Sequence, residues 1–208
     1  MIPLKDFYMI RHGETEANAA KIMAGSLDSP LNQNGRDQAR AVQSVVRALP
    51  VKPSVIVHSQ LSRARETAEI INEALKLPLY EDPDLAELHA GDWEGVSYDQ
   101  CRPLLDGWDD PPGGERFEDF FARVSRAKKK ALENHEGRVL IVSHGGVFRA
   151  FAKLYGLNIW GARNCTLHEF LPTPQNQSFP WTAHIYEYEN GLKKTLSDSF
   201  HAPVEIAS

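Results

Sequence analysis

Cysteine is scarce in this 208-residue sequence: there are two, Cys101 and Cys165, and they form no C-x-x-C pair. No thiol redox motif is therefore present, and the two are read as buried thiols, with a disulfide as the lesser alternative. No stretch approaches the about 20 apolar residues a membrane-spanning helix needs. The opening Met1-Ile2-Pro3-Leu4-Lys5-Asp6 has no apolar run behind a basic cluster, so no signal peptide is expected. An excess of positive charge is also missing, with 23 Lys and Arg against 28 Asp and Glu and a net charge of −5. A nucleic-acid surface needs a basic stripe, which this balance does not supply. These absences point to a cytoplasmic protein with neither nucleic acid nor membrane as partner. At 42% hydrophobic and 25% charged residues, the composition is that of a globular chain long enough for one sizeable core. A single domain over 1–208 is the expectation.

What is present is an alternation of short apolar runs and helical periods. Phe7-Tyr8-Met9-Ile10 reads as a buried strand, cut off by Arg11-His12-Gly13. Ala39, Val42, Val45, Val46 and Leu49 recur at helical spacing, which predicts an amphipathic helix over about 33–49. Pro50 and Pro53 break the chain, and residues 54–57 form a second strand. Ala64, Ala68, Ile71 and Leu75 line a second helix; Phe117, Phe120, Phe121, Val124 and Ala127 line a third. Val139 to Val142 is a third buried strand, with a helix behind it from Val147 to Leu154. Two more strands are expected around 166–171 and 184–188, and a surface tail after Leu192. Between them, 78–115 is irregular and rich in Pro, Gly, Asp and Trp, the pattern of a lid-like insertion over a binding site. Strand and helix in repetition imply an α/β fold, a three-layer sandwich with a mostly parallel central sheet flanked by helices.

In such sheets ligands bind at the carboxyl ends of the strands. Arg11-His12-Gly13, His58-Ser59 and Ser143-His144-Gly145-Gly146 each follow directly on a strand, so they converge on one end of the sheet. His12 and His144 would meet there with Arg11 and Arg63. Two fixed cations oppose a bound metal, but they suit a phosphate, whose oxygens a guanidinium fork grips in pairs. Gly13, Gly145 and Gly146 let the backbone come close, and the helix starting near Gly146 would offer N–H groups to an anion. Histidine is the nucleophile or proton carrier that works near neutral pH. A lone histidine after a strand is usually a turn residue; two, flanked by glycines and joined by arginines, are not.

Arg11-His12-Gly13-Glu14-Thr15, with Asn18 following, resembles the motif of the histidine phosphatase superfamily, which includes cofactor-dependent phosphoglycerate mutase. The resemblance continues through Asp28, Pro30, Leu31, Gly35, Gln38 and Ala39, then Ser59, Leu61, Arg63, Ala64, Thr67 and Ala68. Leu85, Glu87, Gly91, Trp93, Glu94 and Gly95 follow, and Val142-Ser143-His144-Gly145-Gly146 closes the set. Five matches in family order are far more specific than any one. The resemblance implies that His12 attacks phosphorus and becomes a phosphohistidine. Arg11, Arg63 and His144 would hold the transferring oxygens, with Asn18 and Gly145 on the substrate side. Glu87 would protonate the departing alkoxide and later take a proton from water. No metal and no cofactor is implied.

His58 and Asn32 depart from the family pattern, and His58 and His89 are each readable as a pocket or a packing residue. Arg149 faces either the site or solvent. Within 96–115 the only cation is Arg102, against Asp99, Asp106, Asp109, Asp110 and Glu115. A mutase must bind a second anionic group, so hydrolysis of a small phosphorylated metabolite is the favoured reading. The alternatives are a phosphoglycerate mutase-type phosphotransferase and, further off, an inactive phospholigand-binding protein. Trp93, Tyr98, Trp108 and Phe117 are expected to pack the insertion against the core rather than stack on a ligand.

Overall fold

The structure is a computed structural model that describes residues 1–175 and 178–201. In chain order its elements are β1 (Phe7–Arg11), α1 (Glu16–Ala19), α2 (Gln33–Ala48), β2 (Val55–His58), α3 (Ser62–Asn72) and β3 (Leu79–Glu81). After two 3-10 turns, Pro83–Leu85 and Gly91–Trp93, come α4 (Tyr98–Gly107), α5 (Phe117–Asn134), β4 (Val139–Ser143) and α6 (Gly145–Lys153). The chain closes with β5 (Leu167–Pro172), β6 (Trp181–Tyr188), β7 (Leu192–Leu196) and α7 (Asp198–His201).

One seven-stranded sheet runs in the order β3-β2-β4-β1-β5-β6-β7. Its centre, β2-β4-β1, is parallel and so is the β3 edge, while β5, β6 and β7 continue antiparallel. Strand alternation splits β1 between two layers. Phe7 and Met9 pack with α5 and α6 on one face, whereas Tyr8 and Ile10 pack with Val42 and Val46 of α2 and with Ala64, Ala68 and Ile71 of α3 on the other. Both faces of the three central parallel strands are thus covered, which is why they read as unbroken apolar runs, whereas the β3 edge is exposed.

Helix α2 starts where the sequence implied. Asn32 Oδ1 accepts the Gly35 N–H at 2.8 Å, which satisfies one of the donors a helix start leaves free. Gly35 is glycine for a steric reason, since a Cβ there would lie 2.0 Å from the Glu14 carbonyl oxygen. That close approach seats the helix against the loop that carries His12.

Two expectations need correction. The segment 78–115 is not irregular throughout: it holds the β3 edge strand, the two 3-10 turns and ten-residue α4. Nor do the described residues after Leu192, 193–201, form a surface tail; residues 202–208 lie outside the described residues. β7 pairs with β6, and Lys194 Nζ reaches the buried carboxylate of Glu169 at 2.6 Å. Phe200 is buried among Phe148, Phe170 and Phe179. No helix among the described residues is long and apolar enough to cross a membrane.

Candidate active site

The three strand ends do converge. Arg11 lies opposite Ser143 in the β1–β4 ladder, and His58 opposite Val142 in the β2–β4 ladder. One residue further on, the His12 N–H donates to the Ser143 carbonyl at 3.0 Å, and the Ser59 N–H to that of Val142 at 3.1 Å. The chain therefore leaves the sheet in register, and the ring centroids of His12 and His144 come to 5.1 Å.

His12 is 3% exposed, and its Nδ1 lies 2.7 Å from the Gly13 carbonyl oxygen. A carbonyl only accepts, so Nδ1 carries the proton and Nε2 keeps a free lone pair. Burial, and then the positive charges of Arg11 and Arg63, hold the imidazole well below its ordinary pKa, so it is neutral. The same causes lower His144, burial first and then Arg63. His144 Nε2 lies 2.8 Å from Ser59 Oγ.

The two guanidiniums are held by backbone carbonyls, with the Glu87 carboxylate near enough to act on both charges. Arg11 Nη1 donates to the Ala162 carbonyl at 3.0 Å. Arg63, 2% exposed, donates from Nη1 to Leu27 and from Nη2 to Gly25, both carbonyls and both at 2.8 Å. Among the described residues every hydrogen bond these groups make goes to a carbonyl oxygen and none to a carboxylate. Arg11 Nε is buried with no hydrogen-bond partner among the described residues. Shielded cations left in this condition favour an anion.

Glu87 stands across from them. Its Oε2 accepts the Gly146 N–H and its Oε1 the Leu88 N–H, both at 2.9 Å. The α6 N-terminus expected to receive a ligand anion is therefore already engaged at Gly146 by this carboxylate. Gly145 and Gly146 both line the cavity, and a Cβ on Gly145 would lie 3.6 Å from the Arg11 guanidinium. Asn18 spends its Oδ1 on the Thr15 N–H at 3.3 Å and on Asn164 at 3.4 Å, leaving its NH2 end for a ligand.

These groups open on a cavity of about 530 Å³ lined by Arg11, His12, Asn18, Arg63, Glu87 and Gly145. His144 is not on its wall but lies behind it, fully buried against Ser59. Arg11, Arg63, Glu87 and His12 are thus brought together as the sequence implied, with His144 one layer further back.

A model of the histidine phosphatase superfamily (branch 1) matches residues 7–173. The chain belongs to the histidine phosphatase superfamily. It is 36% identical over 205 residues to a probable phosphoglycerate mutase of Serratia proteamaculans, covering 92% of this chain and 94% of that one. A phosphoglycerate mutase-like protein of Arabidopsis thaliana is 35% identical, over 70% of this chain and 68% of its own. Among solved structures, the mycobacterial glucosyl-3-phosphoglycerate phosphatase in complex with VO3 superimposes with a TM-score of 0.73 at 29% identity, over 89% of this chain and all of that one.

Further residues of this superfamily member find their places around the cavity. Lys21, Asn164 and Trp160 line it, although nothing in the local sequence marks them. Asn164 donates to the His12 carbonyl at 2.8 Å, a contact made across 152 positions of chain. Arg149 faces the site, but Nη2 is spent on the Leu105 carbonyl at 3.0 Å and on Asp106 at 3.1 Å. His58 is buried, its Nδ1 2.9 Å from the Ser59 carbonyl, and His89 is exposed; neither lines the cavity. Trp93 is a core residue, whereas Tyr98, Trp108 and Phe117 both pack and line the cavity wall. Cys101 and Cys165 are free thiols.

Proposed function

We propose that this protein is a metal-independent phosphatase that hydrolyses phosphate monoesters of a small metabolite through a phosphohistidine at His12. The observation that carries the reading is a neutral imidazole with a bare Nε2, flanked by two buried guanidiniums that hydrogen-bond to backbone carbonyls and to no carboxylate among the described residues. Phosphoryl transfer is chiefly positioning and charge neutralisation, and Arg11 and Arg63 supply the charge that a metal would otherwise bring.

In the first step His12 Nε2 forms a bond to phosphorus while the ester P–O bond breaks. The departing alkoxide takes a proton from the Glu87 carboxyl. In the second step Glu87, now ionised, removes a proton from water; the hydroxide attacks phosphorus and the P–N bond breaks. Inorganic phosphate leaves with His12 neutral again. Arg11, Arg63 and Asn18 hold the equatorial oxygens, with Gly145 allowing the close approach. His144 backs the His12 ring and fixes Ser59. The segment 78–115 acts as the lid, its α4 and the turn at Trp108 forming the wall opposite the strand ends. The two thiols are consistent with a cytoplasmic setting.

A mutase reading is favoured by the names of the Serratia and Arabidopsis relatives and by the presence of Lys21 and Arg149 on the cavity wall. Hydrolysis is preferred because Arg149 is already paired with Asp106, and Arg102 lies 4.0 Å over the Trp160 ring. Asp99 and Glu14 also line the cavity, where they oppose a second anionic group.

The test is incubation with a phosphorus-labelled monoester, assayed for free phosphate, for isomerised phosphoglycerate and for protein-bound label. Phosphate release with an acid-labile, base-stable label that His12→Ala abolishes supports the proposal. Fast isomerisation with negligible release supports the mutase, and no label or turnover leaves a binding protein.

A further inference from the structure

Helix α5 carries an arginine whose guanidinium is shared between the segment that bears Glu87 and the carboxylate of Glu115. Arg123 Nη1 donates to the carbonyls of Asp84 at 2.9 Å and Ala86 at 2.6 Å, and Nη2 to that of Glu87 itself at 2.8 Å. Its other edge pairs with both oxygens of Glu115, Nε to Oε1 at 2.7 Å and Nη2 to Oε2 at 2.9 Å. Glu115 is tied back in turn, since its N–H donates to the His89 carbonyl at 2.8 Å. Both sides of the segment 84–89 are thus fastened to one planar group, and Arg123 is not among the residues lining the cavity.

The surroundings reinforce this. The face of α5 that meets the segment is a basic row at helical spacing. Arg126 lies 3.3 Å from Asp84, and Lys130 lies 3.2 Å from the buried Asp82 carboxylate. The Arg126 and Lys130 pairs have one or both partners well exposed to water, where ion pairs contribute little. The Arg123–Glu115 pair is largely shielded, with side chains 13% and 18% exposed, and it is bidentate. Irregular backbone leaves carbonyls that need donors, and three of them here are met by a single side chain.

We propose that Arg123, locked by Glu115, is the positioning residue for Glu87: it sets where the proton donor stands although it touches neither substrate nor phosphate. The proposal rests on the reading of Glu87 as the acid. A carboxyl displaced by about 1 Å can cost on the order of 10²-fold in rate.

The experiment compares 4-nitrophenyl phosphate with 4-methylphenyl phosphate, which are alike in size but differ in leaving group. The parameter is kcat/KM, which reports the step that expels the alcohol. Arg123→Gln is expected to lower kcat/KM at least about tenfold on the methylphenyl ester and less than about threefold on the nitrophenyl ester, since a good leaving group needs little acid. Arg123→Lys should fall between Arg123→Gln and the native protein. Glu87→Gln should give the same leaving-group pattern, and adding Arg123→Gln to it should cost nothing more, because both changes disable one device. Equal losses on the two esters, or additive losses in the double variant, overturn the proposal while leaving Glu87 as the acid. Absence of a leaving-group effect in Glu87→Gln itself overturns the reading of Glu87, and this proposal with it. Should Arg123→Gln not fold, Glu115→Gln, which keeps the three carbonyl bonds, carries the same comparison.

Discussion

Glu87 and Gly146 are fitted to each other: the carboxylate accepts the glycine N–H at 2.9 Å, and a methyl group on Gly146 would stand 2.0 Å from Glu87 Oε1. In an exposed helix a change from Gly to Ala gains about 1 kcal/mol. Here it must push aside the Glu87 carboxylate, the proposed proton donor. Gly146→Ala is therefore expected to stay folded, with unchanged far-UV circular dichroism, and to lose on the order of 10² in kcat/KM on a poor leaving group. Native activity in the alanine variant would show that the carboxylate is not needed where it stands.

A depressed His12 pKa has two consequences of known sign. Because burial and the nearby guanidiniums lower it well below the ordinary imidazole value, the ring resonances of His12 should not titrate between about pH 6 and 8. Arg63→Met removes one of those charges and should move the titration upward, which NMR of the ring protons would record. Stability follows the same shift. Below about pH 6.5 the unfolded chain binds protons that the folded one refuses, so stability is lost as the pH is lowered. His144, lowered by burial first, and His168, lowered to about 4 by burial, act in the same direction. A urea midpoint unchanged from pH 7 to pH 5 would contradict this account.

Lys128 is a cost that the fold carries. Its amine is buried with no carboxylate partner among the described residues, 3.4 Å from the Phe151 ring centroid, 4.3 Å from that of Phe7 and 3.2 Å from Met9 Sδ. Burial holds its pKa well below the usual lysine range. Between the folded value and about 10.4 the unfolded chain holds the extra proton, so stability rises with pH and the cost fades toward alkaline conditions. Lys128→Met is expected to stabilise the protein by about 1–3 kcal/mol at pH 7, by analogy with other buried charges replaced by apolar groups of similar size. The gain should shrink by pH 10. Denaturant midpoints at the two pH values decide it; a gain independent of pH would mean that the amine is not buried as a titrating group.

The strands and helices that were legible in the sequence are those whose signal is local. β1, β2 and β4 are apolar on both faces because both faces are covered, and α2 and α5 show one apolar stripe because only one side is. The pairing of His12 with Arg11, Arg63 and Glu87 followed from motif order combined with the rule that parallel strands present their carboxyl ends to a ligand. Asn164 and Arg123 were not legible, since each acts on backbone that is distant in sequence and nothing near it names its partner. Gly146 was read as a place for a ligand anion, and the chain's own carboxylate occupies it.

β7 and the residues behind it were missed for a related reason: Leu192–Leu196 contains two lysines and is largely exposed, so it has no apolar alternation to announce an edge strand. What holds it is tertiary, namely Lys194 on buried Glu169 and the Phe200 ring seated 5.0 Å from Phe170 and 5.3 Å from Phe179. A surface tail would tolerate truncation. A core aromatic, by contrast, loses its transfer free energy and leaves a cavity that close-packed neighbours cannot collapse to fill. Phe200→Ala is therefore expected to cost about 3–5 kcal/mol in urea unfolding, and Lys194→Met to destabilise as well by leaving Glu169 short of a partner. Because Phe200 also borders Phe148 of α6, the helix that carries Gly146 and Arg149, the loss at elevated temperature should include activity before global unfolding. A Phe200→Ala variant as stable as the native chain would return this segment to the surface, as the sequence had placed it.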